Sequence, residues 1–233
     1  MNYLANILTG LSLLCGFTSI IFSLERHFTF ACWAIIISVI LDGLDGQIAR
    51  KNAQPSKFGK EFDSLVDVIA FGLAPSILGY IFIYKSFYFW ATLALFIYLL
   101  SSVTRLAKYN ITPSDKMMDY FYGLPTTASG GILASFILIF RSRGLVSLPV
   151  FVPGLFLFLI LLLAFLMISR IRYLNLDGLK KILGGRTKFT VLTLAILLLA
   201  AAAFRRMGIS VFLLFLIYLI FSPFVVKRLN DHL

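Results

Sequence analysis

Apolar residues run along the chain in long blocks, and the polar residues between the blocks are few and clustered. Crossing a bilayer takes about 20 apolar residues in a helix. Eight stretches reach or approach that length: 4–24, 28–49, 58–84, 87–107, 125–140, 148–169, 189–204 and 209–226. The fifth and seventh are short, and nothing between the blocks is long enough to fold as a soluble domain. The pattern predicts an all-α, polytopic membrane helix bundle of about eight transmembrane helices, forming a single domain over residues 1–233. Pro75 lies inside the third block and predicts a bend or break there, tolerated where neighbours satisfy the carbonyl it frees.

Composition agrees with this reading. The chain is 60% hydrophobic with a mean hydropathy of +0.96, whereas soluble domains are about 45–50% apolar. The net charge of +11 comes from 21 Lys and Arg against ten Asp and Glu. In a soluble protein that excess points to nucleic acid, but here the bases lie between apolar blocks, where they set topology and meet anionic headgroups. With the amino terminus in the cytosol, fifteen of them fall on the cytosolic side and six on the other, which predicts both termini inside. No basic stretch precedes the first block and no small-residue cleavage site follows it, so it is expected to remain as the first helix. Cys15 and Cys32 sit in apolar blocks and read as packing residues. His27 and His232 are isolated and lack a zinc-ligand set.

The acidic residues change the picture, because five of the ten lie between Asp42 and Asp67. Asp42, Asp45, Gly46, Ala49 and Arg50 stand at offsets of 0, 3, 4, 7 and 8, which is one face of a helix. Asp63 and Asp67 are one turn apart on the next helical segment, with Gly59 one turn earlier. Two facing helices therefore bring four carboxylates toward one volume. A carboxylate near the bilayer centre costs roughly 2.5–3.5 kcal/mol on insertion scales, and four together repel unless protonated or metal-bound. At 1.5 Å per residue Asp42 lies about 12 Å below Arg50, and Asp67 about 13 Å beyond Phe58, in the cytosolic half of the membrane.

Carboxylate oxygens without Cys or His suit hard cations, Mg²⁺ or Mn²⁺. Such ions bridge phosphate oxygens, and a pair of them can hold both the attacking and the leaving group of a displacement. Gly46 and Gly59 allow close approach of a ligand, and Arg50 can neutralise a phosphate. From these residues alone the chemistry is phosphoryl transfer at the membrane surface.

Three further stretches carry polar groups to the cytosolic side. TRLAKYN offers Arg105, Lys108 and Asn110, either as interface anchors or as ligands for a substrate. YGLPTTASGG lacks the phosphate-loop pattern, and its small residues read as close helix packing. SRIRYLNLDGLKK offers Arg170 and Arg172, as topology signals or as an anion site. The last two blocks contain no internal charge and are assigned to packing.

Asp42, Gly43, Asp45, Gly46, Ala49, Arg50, Gly59, Asp63 and Asp67 together resemble the signature of the CDP-alcohol phosphotransferase family, DGxxAR, eight residues, then GxxxDxxxD, at all nine positions. That resemblance implies a dimeric bundle of membrane helices that binds a CDP-linked lipid through two divalent cations and releases CMP. It implies that Asp42, Asp45, Asp63 and Asp67 hold the metals, that Asp67 is also the base, and that Gly46, Ala49, Arg50 and Gly59 line the CDP pocket. NYLANILTGLSLLCGF, DSLVDVIAFGLAPS, TRLAKYN, YGLPTTASGG and SRIRYLNLDGLK resemble the phosphatidylserine synthase branch of bacteria and archaea. The acceptor expected on that ground is L-serine, with Arg105, Lys108, Asn110, Arg170 and Arg172 as candidates to hold it, at the cytosolic face of the cell membrane. The lipid chains are left open as ester-linked acyl or ether-linked isoprenoid. Two alternatives stand beside this one: the same chemistry on glycerol 3-phosphate or inositol phosphate, and a cation transporter. A transporter predicts midplane carboxylates on broken helices and an internal repeat, whereas this cluster lies toward one face and the chain shows no repeat.

Overall fold

A computed structural model describes residues 3–51, 57–111, 120–141, 149–174 and 207–230. Helices dominate it: α1 (Tyr3–Leu24), α2 (Phe28–Lys51), α3 (Lys57–Asp67), a π-helical turn (Val68–Leu73), α4 (Ala74–Ile83), α5 (Tyr88–Ile111), α6 (Thr126–Arg141), α7 (Phe151–Ile168) and α8 (Met207–Asn230). Among the described residues five stretches are long and apolar enough to cross a membrane: Leu4–Leu24, Phe28–Ile48, Phe58–Ile83, Tyr88–Ile111 and Phe151–Ile168. Thr126–Phe140 and Gly208–Phe224 are shorter apolar helices. The expected span at 189–204 lies outside the described residues.

The chain uses side-chain size to decide which helix face goes inward. On α1 the buried positions are Ala5, Thr9, Ser12, Gly16, Ser19 and Ser23, three or four apart and all small, while Leu4, Ile7, Leu11, Leu14, Phe17 and Ile21 are exposed. In lipid, apolar side chains gain little from leaving the surface, so helices associate where small residues let backbones approach and hydroxyls pair across the gap. α1 accordingly packs along α2, with Ser12 Oγ 2.6 Å from Ser38 Oγ and Ser19 Oγ donating to the Ala31 carbonyl at 2.9 Å. α7 shows the same division, its exposed side carrying Phe151, Leu155, Phe158, Leu161 and Phe165. Larger residues fill the centre of the bundle, where the Phe156 ring of α7 lies 5.3 Å from Phe82 of α4 and 5.2 Å from Phe136 of α6.

Gly16 makes a close backbone approach to the segment that follows α3. A Cβ there would stand 2.8 Å from the Ala70 Cα in the π turn, and backbone cannot yield as a side-chain tip can. Gly16→Ala is therefore expected to lower stability by about 1–3 kcal/mol, read as a drop in the thermal midpoint in detergent. A midpoint equal to that of the unsubstituted chain would show that α1 and the π turn are not in contact.

Among the described residues one short ribbon departs from the helical pattern. β1 (Tyr120–Tyr122) and β2 (Arg172–Leu174) pair antiparallel, with Tyr122 opposite Arg172. Gly123 turns the chain from β1 into α6 at φ +77°, and a Cβ there would overlap the Met167 carbonyl oxygen, so only glycine fits. The Gly123 and Leu124 N–H groups donate to Ile171 O at 2.8 Å and Leu166 O at 3.0 Å, tying the ribbon to the end of α7. The apolar block expected over 148–169 precedes Arg170 and Arg172. In the structure the helix stops at Ile168, Ser169 turns to an extended backbone, and Arg172 lies on the ribbon.

Candidate metal centre and active site

Asp42 on α2 and Asp63 and Asp67 on α3 each present a carboxylate oxygen, and these oxygens lie within 4.8 Å of one another. The helical spacing of Asp63 and Asp67 puts both on the side of α3 that faces α2. Asp67 is the most enclosed of the three, 9% exposed, and its Oδ1 is buried with no hydrogen-bond donor among the described residues. A buried carboxylate oxygen without a donor is costly unless a cation or a substrate proton reaches it. Three all-oxygen ligands around such an atom fit a hard divalent ion.

Asp45 was expected to converge with these three and stands outside their group. Its Oδ2 instead accepts a hydrogen bond from Thr9 Oγ1 at 2.7 Å, and the side chain is only 4% exposed. The signature spacing fixes the helix face, but α1 lies against that face and supplies a hydroxyl that sequence alone could not assign. Gly46 and Gly59 are half-buried on the same two helices. The side chains of Ala49 and Arg50 lie outside the described residues.

Of the five basic or polar candidates for an acceptor, Arg105 is brought beside the aspartates. Its guanidinium is within electrostatic reach of Asp67 and Asp42, and its Nη1 donates to Thr126 Oγ1 at 3.3 Å. Asn110 ties α5 to α3: its Oδ1 accepts from Ser64 Oγ at 3.1 Å, its Nδ2 donates to Glu61 Oε2 at 3.3 Å, and its carbonyl accepts from Lys60 Nζ at 3.2 Å. Lys108 is exposed on α5, and Arg170 is exposed after α7. Arg172, also exposed, stands with its guanidinium carbon 5.9 Å from the centre of the Tyr122 ring.

Sequence reading missed Thr9, Thr126 and Tyr218. The block that carries Tyr218 was assigned to packing, and it does pack: a Cβ on Gly131 of α6 would overlap the Phe215 ring of α8. The same contact brings Tyr218 within electrostatic reach of Arg105, with a hydrogen bond to Ser222 and its ring 6.2 Å from that of Tyr173. Burial raises the pKa of the Tyr173 hydroxyl, so the ribbon meets this edge of the site as a neutral phenol. A tyrosine within an apolar helix carries no mark of which neighbour it will reach.

The family model for CDP-alcohol phosphatidyltransferase matches residues 2–156, which include every one of the clustered aspartates. The chain belongs to that family. Among similar phosphatidyltransferases, the CDP-diacylglycerol–serine O-phosphatidyltransferase of Helicobacter pylori is 37% identical over 179 residues, 75% of this chain and 73% of its own. The archaetidylserine synthase of Methanothermobacter thermautotrophicus is 32% identical over 177 residues, covering 75% and 71%. The CDP-diacylglycerol–serine O-phosphatidyltransferase of Bacillus subtilis is 33% identical over 130 residues, covering 56% and 72%. As a phosphatidyltransferase the chain is an enzyme of phospholipid synthesis with several membrane-crossing helices. Its Asp42, Asp63 and Asp67 form the candidate site for the divalent metal on which such enzymes depend.

Proposed function

We propose that this phosphatidyltransferase moves the phosphatidyl group of a CDP-linked lipid to the hydroxyl of L-serine, giving the serine phospholipid and CMP. The observation that carries the reading is the convergence of Asp42, Asp63 and Asp67 around a buried, donor-less oxygen beside the Arg105 guanidinium. Similarity to enzymes named for serine transfer on both acyl and archaeal lipids supports serine over other acceptors.

In this reading the serine oxygen attacks the lipid-linked phosphorus. The bond from that phosphorus to the bridging oxygen breaks, CMP departs with that oxygen, and the hydroxyl proton passes to Asp67. Two divalent cations, Mg²⁺ or Mn²⁺, supply charge neutralisation of the diphosphate and of the departing CMP. Asp42, Asp45, Asp63 and Asp67 hold them, Asp45 kept in place by the Thr9 hydroxyl, while Gly46, Ala49, Arg50 and Gly59 form the nucleotide pocket. The serine carboxylate is bound by Arg105, assisted by Lys108, Asn110, Arg170 and Arg172 on the same side. The wider arrangement is one domain of eight spans with both termini and the active site facing the cytosol, in the cell membrane, as a homodimer.

The test offers the purified protein a CDP-linked lipid with Mn²⁺ or Mg²⁺ and, in parallel, labelled serine, glycerol 3-phosphate or inositol phosphate. Label is expected in lipid with serine alone. Comparable transfer to glycerol 3-phosphate or inositol phosphate would overturn the acceptor, and no transfer to any would overturn the reaction. Replacing Arg105 by Lys removes the bidentate geometry that matches a carboxylate. It is expected to raise KM for serine by roughly tenfold or more, the weight of one charge-assisted hydrogen bond, with the KM for the lipid little changed. An unaltered serine KM would move the carboxylate site elsewhere.

A further inference from the structure

The helix that carries Asp63 and Asp67 does not run straight into the core. Pro75 has no N–H, so the α-helical bond that residue 75 would give to the Phe71 carbonyl cannot form. The backbone opens instead into the π turn Val68–Leu73, where the Ala74 N–H reaches back five residues to Ile69 O. The Phe71 carbonyl is met from another helix: Tyr98 Oη on α5, wholly buried, donates to it at 2.9 Å. Ser129 Oγ on α6 lies 3.0 Å from the same Tyr98 oxygen. With the tyrosine's one proton on the Phe71 carbonyl, the Ser129 hydroxyl, whose own single proton is shared between the Tyr98 oxygen and the Thr126 carbonyl at 2.8 Å, keeps the tyrosine oxygen in place.

The turn is held on its other sides by backbone contact. A Cβ on Gly130 would stand 3.3 Å from the Phe71 Cα, and Gly72 faces Ser102 on α5. Beyond it, α4 is fixed in the core through Ala74, Leu78, Phe82 and Ile83. With α4 immovable, the turn sets the rotation of α3. One residue wound out of the α register shifts the preceding face by about 100°. A straight helix through the same residues would carry Asp63 and Asp67 away from Asp42.

We propose that Tyr98, supported by Ser129, is a positioning residue of the active site: its hydroxyl holds the Phe71 carbonyl in the π turn and thereby aims Asp63 and Asp67 at Asp42. The proposal rests on the reading of these aspartates as metal ligands. Neither residue belongs to the aspartate signature, and neither touches the carboxylates. Ser129 also stands 2.8 Å from the carbonyl of Thr126, whose hydroxyl accepts from Arg105, so one turn of α6 braces both the π turn and the guanidinium.

The test uses the full chain in detergent, unsubstituted and as Tyr98→Phe and Ser129→Ala, and measures Mn²⁺ binding by calorimetry without substrate, together with kcat and KM for serine. Tyr98→Phe is expected to weaken Mn²⁺ binding and lower kcat, each by roughly 10–100-fold, as for other groups that orient metal ligands, with KM for serine little changed. Ser129→Ala leaves the tyrosine hydroxyl in place and is expected to move both quantities the same way by less. A residue that only stabilised the bundle would lower the thermal midpoint and leave Mn²⁺ affinity and kcat alone, and that result in Tyr98→Phe would overturn the proposal. Should Tyr98→Phe fail to fold, unchanged Mn²⁺ affinity and kcat in Ser129→Ala would overturn it. Failure of the unsubstituted chain to bind Mn²⁺ would remove the metal reading, and this proposal with it.

Discussion

Asp42→Asn and Asp63→Asn are each expected to abolish transfer while leaving the protein folded. Carboxylate oxygens of the two lie within 4.8 Å of each other and of one from the buried Asp67, and both side chains are half-buried, so their charges are only partly screened. Removing one such ligand removes much of the charge neutralisation that a bound ion gives the diphosphate. That contribution is several kcal/mol, so the loss in kcat is on the order of 10³-fold or more. Stability should move the opposite way. Without metal, three close carboxylates repel, and neutralising one relieves the others. The metal-free variants should therefore melt at or above the temperature of the metal-free parent, and added Mn²⁺ should raise the parent's midpoint but not theirs. Asp45→Asn is expected to follow them in activity. Near-normal turnover of all three variants in limiting Mn²⁺ would place the metal elsewhere in the chain.

Much of this site could be read from the chain before any coordinates. Spans of α1, α2, α3 to α4 and α5 follow from runs of apolar residues too long for anything but a helix, and their described ends fall within a few residues of the expected ones. The face shared by Asp42 and Asp45 and that shared by Asp63 and Asp67 are consequences of helical periodicity, which does not depend on neighbours. Which group each side chain meets does depend on neighbours. Asp45 meets Thr9 because α1 lies against α2, and the small-residue stripe of α1 becomes informative only once that packing is known. Pro75 marked a disturbance in the third span, but the π turn forms on the upstream side, beginning at Val68, where the missing N–H leaves its carbonyl. The ribbon of Tyr120–Tyr122 and Arg172–Leu174 joins an aromatic tripeptide to one with a basic and an aromatic residue, distant in sequence. Each alone is indistinguishable from the aromatic and basic anchors common at a membrane surface.

Asp67→Asn separates the two roles that one carboxylate can hold here. Asp67 differs from Asp42 and Asp63 in two respects: it is the more buried side chain, and its Oδ1 is enclosed without a hydrogen-bond partner among the described residues. An acceptor hydroxyl arriving at that oxygen would supply the missing donor in the ground state and surrender its proton as the bond to phosphorus forms. Arg105 is within electrostatic reach of Asp67, so in the proposed reaction it would hold the carboxylate of a molecule as small as serine while the serine hydroxyl reaches the base. Asparagine keeps the shape and an oxygen ligand but cannot take the proton. The variant is therefore expected to bind Mn²⁺ and CDP-linked lipid nearly as the parent does, and to lose turnover by about 10²–10⁴-fold, the usual worth of a positioned general base. Calorimetry with Mn²⁺ and with CDP, set beside kcat, decides the matter. If metal binding and activity vanish together, Asp67 serves chiefly as a ligand like its two neighbours, and the proton must leave by way of another oxygen in the site.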